Sequence, residues 1–149
     1  MAHVNVEIKA ACDEPARIRR ILRSRGADFR GIDHQVDTYF RVPNGRLKLR
    51  EGNIENSLIH YDRADEPGPK EARVWLCRLR PDPALRELLS RALGVRTVVR
   101  KTREIYFIDN VKFHIDDVEG LGGFVEIEAI DLAGALGREA MHAQCREYQ

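Results

Sequence analysis

In the stretch KFHIDDVEGLGGFVEIEAI, residues 112–130, charged side chains alternate with apolar ones on both sides of a glycine-rich turn. Lys112, His114 and Asp116 alternate with Phe113 and Ile115; Glu126 and Glu128 alternate with Val125, Ile127 and Ala129. Side chains two apart on a strand share a face, so this hairpin gathers carboxylates into one row. Glu7 and Lys9 alternate in the same way within VNVEIKA near the start. Basic rows recur elsewhere: Arg46, Lys48 and Arg50 opposite Leu47 and Leu49, Arg63 at the end of IHYDR, and Lys101 with Arg103 in RKTRE. Taken singly, each row reads as the solvated face of an antiparallel sheet. Brought together, they would need counter-ions. Two like charges about 5 Å apart repel by roughly 3 kcal/mol at an effective dielectric near 20, and converging carboxylates raise one another's pKa unless a cation sits among them. A divalent metal answers the acidic cluster, a polyanion answers the basic one, and a metal triphosphate answers both.

The elements that must position these rows are readable from their periodicity. VNVEIKA alternates as a strand. DEPARIRRILRSRG reads as a helix capped by Asp13, with Pro15 in its first turn, a stripe of Ile18, Ile21 and Leu22, and Gly26 at its end. QVDTYFRV and GRLKLRE form a hairpin about Pro43-Asn44-Gly45, and NSLIHYDR is a further strand. Residues 64–73, ADEPGPKEAR, read as a polar excursion loop, followed by the strand VWLCRLR. DPALRELLSRALG is a second helix capped by Asp82 and stopped at Gly94, TVVRKTREIYFI leads into the hairpin, and the tail from Asp131 has the spacing of a final helix. About eight strands in hairpin order with two or three helices make an α+β fold on an antiparallel sheet. Helices need an apolar sheet face to pack on. If the sheet curls shut with the helices outside, the charged rows point inward and line a tunnel.

Composition bounds the function. The 149 residues suit one domain, 1–149. With 25 Lys and Arg against 24 Asp and Glu, the chain lacks the basic excess of a general nucleic-acid binder. Charged residues interrupt every apolar run too soon for a membrane span or a signal peptide. Cys12, Cys77 and Cys145 are odd in number and widely spaced, as free thiols of a reducing compartment would be. The expectation is a cytoplasmic protein with no nucleic-acid or membrane partner.

Together VEIKA, QVDTYFRVPNGRLKLRE, LIHYDR and KTREIYFIDNVKFHIDDVEGLGGFVEIEA, from Val4 to Ala129, resemble the CYTH superfamily. That group contains class IV adenylyl cyclases, thiamine triphosphatases and inorganic triphosphatases, and the second half is most similar to the cyclase branch. The resemblance implies a closed, eight-stranded antiparallel β-barrel, the triphosphate tunnel, with helices outside. It implies that Glu7, Asp116, Glu126 and Glu128 hold Mg²⁺ or Mn²⁺, hard cations that prefer carboxylate oxygen. Lys9, Lys48, Arg50, Arg63, Lys101 and Arg103 would grip phosphate oxygens, with Glu7, Lys9, Lys101 and Arg103 as the catalytic set. The substrate would be ATP, tripolyphosphate or thiamine triphosphate, and a homodimer suits the family. A cyclase aims the ribose 3′-hydroxyl at the α-phosphorus and releases pyrophosphate; a hydrolase aims water.

Two departures from the family pattern bear on activity. Its opening ExExK reads Asn5-Val6-Glu7-Ile8-Lys9 here, so a neutral amide replaces one carboxylate and a metal site is weakened. A non-catalytic module for polyphosphates or phosphorylated metabolites is therefore the alternative to an enzyme. The segment after Glu128 is short for a cyclase-like member, which implies a less covered tunnel mouth or one completed by a partner chain. His114 shares the face of Asp116 and reads equally as a phosphate or carboxylate contact and as a satisfied interior residue. Arg46 is a weaker phosphate contact, Asp117 points away from the row, and Tyr39 and Tyr61 read as packing residues. Gly120, Gly122 and Gly123 are turn glycines, because no helix follows them to complete a phosphate cradle.

Overall fold

A computed structural model describes residues 2–63 and 70–131. Eight strands and two helices follow one another along the described chain: β1 Ala2–Ala11, α1 Pro15–Ser24, β2 Asp28–Phe40, β3 Arg46–Glu51, β4 Asn56–Arg63, β5 Lys70–Arg78, α2 Pro83–Leu93, β6 Val95–Ile108, β7 Val111–Val118 and β8 Gly122–Asp131. The strands close into an antiparallel barrel in the order β1-β5-β4-β3-β2-β6-β7-β8, with β8 returning to β1. The expected closed eight-stranded barrel is therefore present. The helix expected in the tail lies outside the described residues. No helix among the described residues is long and apolar enough to cross a membrane.

Closure turns the alternation inside out relative to an ordinary sheet. The apolar rows Val6 and Ile8, Tyr106 and Ile108, Val111, Phe113 and Ile115, and Val125, Ile127 and Ala129 share the outer face, where Ile18 and Leu22 of α1 cover them. Leu22 is only 3% exposed, and burying such a side chain stabilises by about 1.5–3 kcal/mol. Arg19 on the same helix donates to both carboxylate oxygens of Glu104 at 2.7 and 2.6 Å, which clips α1 to β6. The second helix, α2, contacts β2 and buries none of its side chains; its Arg86 pairs with Glu51 at 3.1 Å. On β1, β6, β7 and β8 the apolar rows thus take the outer face, and the charged rows that alternate with them turn to the lumen.

Three boundaries differ from the sequence reading, each for a pairing reason. The second strand starts at Asp28 rather than Gln35, because a register shift between Phe29 and Gly31 lets Asp28–His34 continue the ladder with β6. Gly31 adopts φ 125°, a conformation that L side chains rarely take. The polar stretch 64–73 yields its last residues to β5, which begins at Lys70 because Lys70–Trp75 pair with Ala2–Glu7. Asp13 does not cap α1; Glu14 occupies the N-cap without a side-chain bond, ahead of Pro15. Asp82 does cap α2, accepting from the Ala84 amide at 3.0 Å, and Gly94 ends it at φ 83°.

Candidate functional site

The lumen is a cavity of about 920 Å³, at the upper end of the usual range for small-molecule sites. Eight Lys and Arg side chains line it among the described residues, against four Glu. Strand register sorts them. On one side Glu7 lies opposite Glu128 and Lys9 opposite Glu126 across β1–β8, while Lys112 and His114 face the same two glutamates across β7–β8. On another, β3 brings Lys48 and Arg50, and β6 brings Lys101 and Arg103. Between these walls, Ile59, Ala72 and Val74, with Tyr61 and Leu76, make an apolar wall on β4 and β5.

The cationic wall is held by carboxylates that sequence reasoning missed. Asp37 on β2 is fully buried and accepts from Arg50 at 2.9 and 2.8 Å; Lys101 stands 3.2 Å and Lys48 4.0 Å from it. Burial alone would raise the Asp37 pKa, but Arg50, Lys48 and Lys101 overwhelm it and hold the carboxyl far below its ordinary range. Its signal was present in QVDTYF, where Gln35, Asp37 and Tyr39 alternate with Val36 and Thr38. A second missed carboxylate, Glu55, comes from the turn between β3 and β4. That turn wraps on Asp33, whose carboxylate accepts from the amides of Ile54 and Glu55, both at 2.9 Å. Gly52 makes the wrap possible, because a Cβ there would lie 2.6 Å from an Asp33 oxygen. So placed, Glu55 takes Lys112 at 2.6 Å and Arg50 at 3.7 Å. Burial opposes its ionisation, yet Lys112 and Arg50 pull its pKa down to about 2. No local pattern in GNIENS announces that reach.

The lysines show how much positive charge the lumen carries. Burial, reinforced by Arg50 and offset by Asp37, lowers Lys48 to about 7; burial and Arg103 lower Lys101 to about 8. Lys48 also sits over the rings of Tyr39 and Tyr61, at 5.7 and 5.2 Å from their centroids. A polyanion between these cations would reverse the depression.

At the acidic wall, His114, Glu126 and Glu128 each offer one ligand atom within 4.8 Å of the others. Burial raises the Glu128 carboxyl, with Glu126 adding to it against Lys112. For Glu126 burial is outweighed by Arg103, Lys9 and Lys48, so its pKa falls. His114 is held neutral, its pKa well below the ordinary value through burial, Arg103 and Lys112. The Asn5 amide donates to Glu128, and its own carbonyl oxygen is buried without a hydrogen-bond partner. Carboxylates, a neutral imidazole and a spare amide oxygen are a donor set that fits a divalent cation.

Of the residues expected from sequence, Glu7, Lys9, Lys48, Arg50, Lys101, Arg103, Glu126 and Glu128 all line the cavity. Asp116 is buried outside the acidic cluster, both its oxygens accepting from Arg103 at 2.9 and 2.8 Å. Lys9 lies toward the solvent side, over the ring of Phe124 at 4.9 Å. Arg63 closes β4, and its side chain lies outside the described residues.

Comparison with known proteins agrees with this geometry. The model of the CYTH domain matches residues 3–143. A Methanocaldococcus jannaschii protein, named as a candidate adenylate cyclase, is 30% identical over 140 residues, spanning 84% of this chain and 76% of its own. The PH1012 protein of Pyrococcus horikoshii superposes with a TM-score of 0.78 at 28% identity, over 95% of this chain and 88% of that one. A Hippeastrum protein, a candidate adenylyl cyclase with a dominant triphosphatase activity, superposes at 0.62 with 12% identity, over 98% and 85% of the two chains. At that identity the likeness is one of fold.

Proposed function

Since the chain belongs to the CYTH domain family, we propose that it is a metal-dependent enzyme that hydrolyses an organic triphosphate held in the lumen of its barrel. The observation that carries this reading is the confrontation, in one cavity, of the Lys48, Arg50, Lys101 and Arg103 wall with the Glu126, Glu128 and His114 cluster. Arg50, fixed by Asp37, and Arg103, fixed by Asp116, present rigid guanidinium groups to phosphate oxygens. Lys48 and Lys101 regain full charge as the polyanion enters, so part of the binding energy returns what their burial cost. Glu126 and Glu128 are the residues that would hold a divalent cation, which would supply charge neutralisation to the phosphate groups. Glu7, opposite Glu128 in the β1–β8 register, is the carboxylate we assign to accept a proton from attacking water. Asp116 acts as a positioning residue for Arg103 rather than as a ligand.

The apolar wall of Ile59, Val74 and Leu76, with Tyr39 and Tyr61 beside it, favours a substrate with an organic end over inorganic tripolyphosphate. Hydrolysis needs only the phosphate and cation walls already described, and that weighs for hydrolysis over cyclisation. Asn5 favours a second reading, a binder of the same ligands whose turnover has decayed. Incubation with Mn²⁺ or Mg²⁺ and ATP, thiamine triphosphate or tripolyphosphate separates the outcomes. Release of orthophosphate with the diphosphate product supports hydrolysis. Cyclic AMP with pyrophosphate overturns it in favour of cyclisation, and saturable binding without product leaves the binder.

A further inference from the structure

We propose that the cation site of this tunnel is a nitrogen-containing site, in which His114 joins Glu126 and Glu128 as a direct ligand and selects a first-row transition ion over Mg²⁺. The inference deepens the reading above, in which a divalent cation shares the lumen with the triphosphate. Its ground is the state of His114 itself. The side chain is 1% exposed, and neither Nδ1 nor Nε2 has a hydrogen-bond partner. A buried imidazole normally donates from one nitrogen and accepts at the other; one that does neither has lost its hydration without compensation. Glu126, its nearest anion, leaves its oxygen 3.9 Å from Nδ1, too far for a hydrogen bond. That spacing suits an ion between the two groups, each reaching it from its own side.

The surroundings explain why nothing else satisfies the ring. Lys112 and Arg103, the basic neighbours on β7 and β6, are engaged by Glu55 and Asp116, and neither can accept a proton from the imidazole. Asn5 donates to Glu128 and leaves its carbonyl oxygen buried and unpartnered. Two unpartnered buried groups, one nitrogen base and one amide oxygen, thus border the same pair of carboxylates. An all-oxygen octahedral set would suit Mg²⁺. Imidazole nitrogen in the set favours Zn²⁺, Fe²⁺, Co²⁺ or Mn²⁺, with affinity rising along the first row. Asn5 in place of a carboxylate lowers the charge of the site, which further weakens a hard ion that depends on charge.

Pulsed electron paramagnetic resonance on the full chain loaded with Mn²⁺ alone, without phosphate, reads the ligand directly. Nitrogen modulation from a coordinated imidazole is expected in the wild type and is expected to vanish in His114→Gln. In competition, Zn²⁺ should displace the bound Mn²⁺ at a concentration lower than Mg²⁺ requires by more than roughly a hundredfold. His114→Gln should weaken Zn²⁺ binding by at least roughly tenfold. The proposal is overturned if Mn²⁺ binds the wild type without nitrogen modulation, if no ion binds, or if Mg²⁺ competes as well as Zn²⁺. The wild-type spectrum decides even if the variant fails to fold. Melting the wild type with tripolyphosphate in EDTA reads the anion wall separately: loss of that shift with nitrogen modulation retained would sink the triphosphate reading and keep this one.

Discussion

Replacing Asp37 with Asn removes a buried anion on which three lumen cations converge. Asp37 is 0% exposed; it bonds Arg50 through two contacts at 2.9 and 2.8 Å, with Lys101 and Lys48 at 3.2 and 4.0 Å. Asparagine keeps the shape but cannot neutralise, and its amide turns donors toward a guanidinium that has only donors to offer. Breaking a buried pair of this kind costs about 3–5 kcal/mol, because the surviving charge is left uncompensated. For a chain of this size about 2–4 °C is lost per kcal/mol, so melting falls by on the order of 10 °C. The same change strengthens the cationic field felt by a ligand. Tripolyphosphate should therefore raise the melting temperature of Asp37→Asn by more than it raises the wild type, because the polyanion takes over the role of the missing carboxylate. Thermal melts with and without ligand measure both quantities. A loss under about 1 kcal/mol, or a smaller ligand shift in the variant, would refute the view that Asp37 is the buried counter-ion of the Arg50, Lys48 and Lys101 wall.

Three further outcomes follow from the same electrostatics. Lys48, lowered to about 7, and Lys101, lowered to about 8, must rise when a polyanion binds, so binding takes up protons and affinity falls as pH climbs from 7 toward 10. Calorimetry in buffers of different ionisation enthalpy, above the pH where the phosphates themselves titrate, should detect that uptake; its absence contradicts the depressed lysines. Lys48→Met should stabilise the ligand-free protein by about 1–3 kcal/mol near neutral pH, since a Lys with a depressed native pKa opposes folding in full below that native value, less as pH rises above it, and not at all above its unfolded pKa. The same variant should bind tripolyphosphate at least about tenfold more weakly, a loss of roughly 1.4 kcal/mol, and equal affinity by titration calorimetry would remove Lys48 from the phosphate wall. Asn5→Glu sets a carboxylate where an amide now donates to Glu128; it should destabilise the metal-free chain by roughly 3 kcal/mol and make its melting temperature strongly Mn²⁺-dependent, whereas metal-independent melting would place residue 5 away from the cation.

The barrel was legible because its alternation is strict. Val6 and Ile8, Phe113 and Ile115, and Ile127 and Ala129 mark one face in their strands, and the charged rows mark the other. Inward residues carried by regular strands, such as Lys48, Arg50, Lys101, Glu126 and Glu128, were therefore identifiable two by two. Asp37 follows the same alternation in QVDTYF, but a lone acid there carries no mark that separates a buried counter-ion from a solvated residue. Glu55 was not readable: it reaches the lumen only because the Asp33 carboxylate gathers the amides of Ile54 and Glu55 from more than twenty residues away. At Asp116 residue type says less than register does: a carboxylate two residues from His114 fits a ligand row, and the β6–β7 ladder also sets it against Arg103, from which both of its oxygens accept. Strand beginnings at Asp28 and Lys70 were hidden for a related reason, since a bulge and a ladder with a distant partner leave little trace in local periodicity.

The decisive measurement is a crystal structure of the chain grown with Mn²⁺ and tripolyphosphate. The anion is expected inside the barrel, its oxygens within hydrogen-bond distance of Arg50, Lys48 and Lys101, and the ion between that anion and Glu126 with Glu128. Phosphate bound only on the outer surface of the barrel, away from Arg50, Lys48 and Lys101, would overturn that reading.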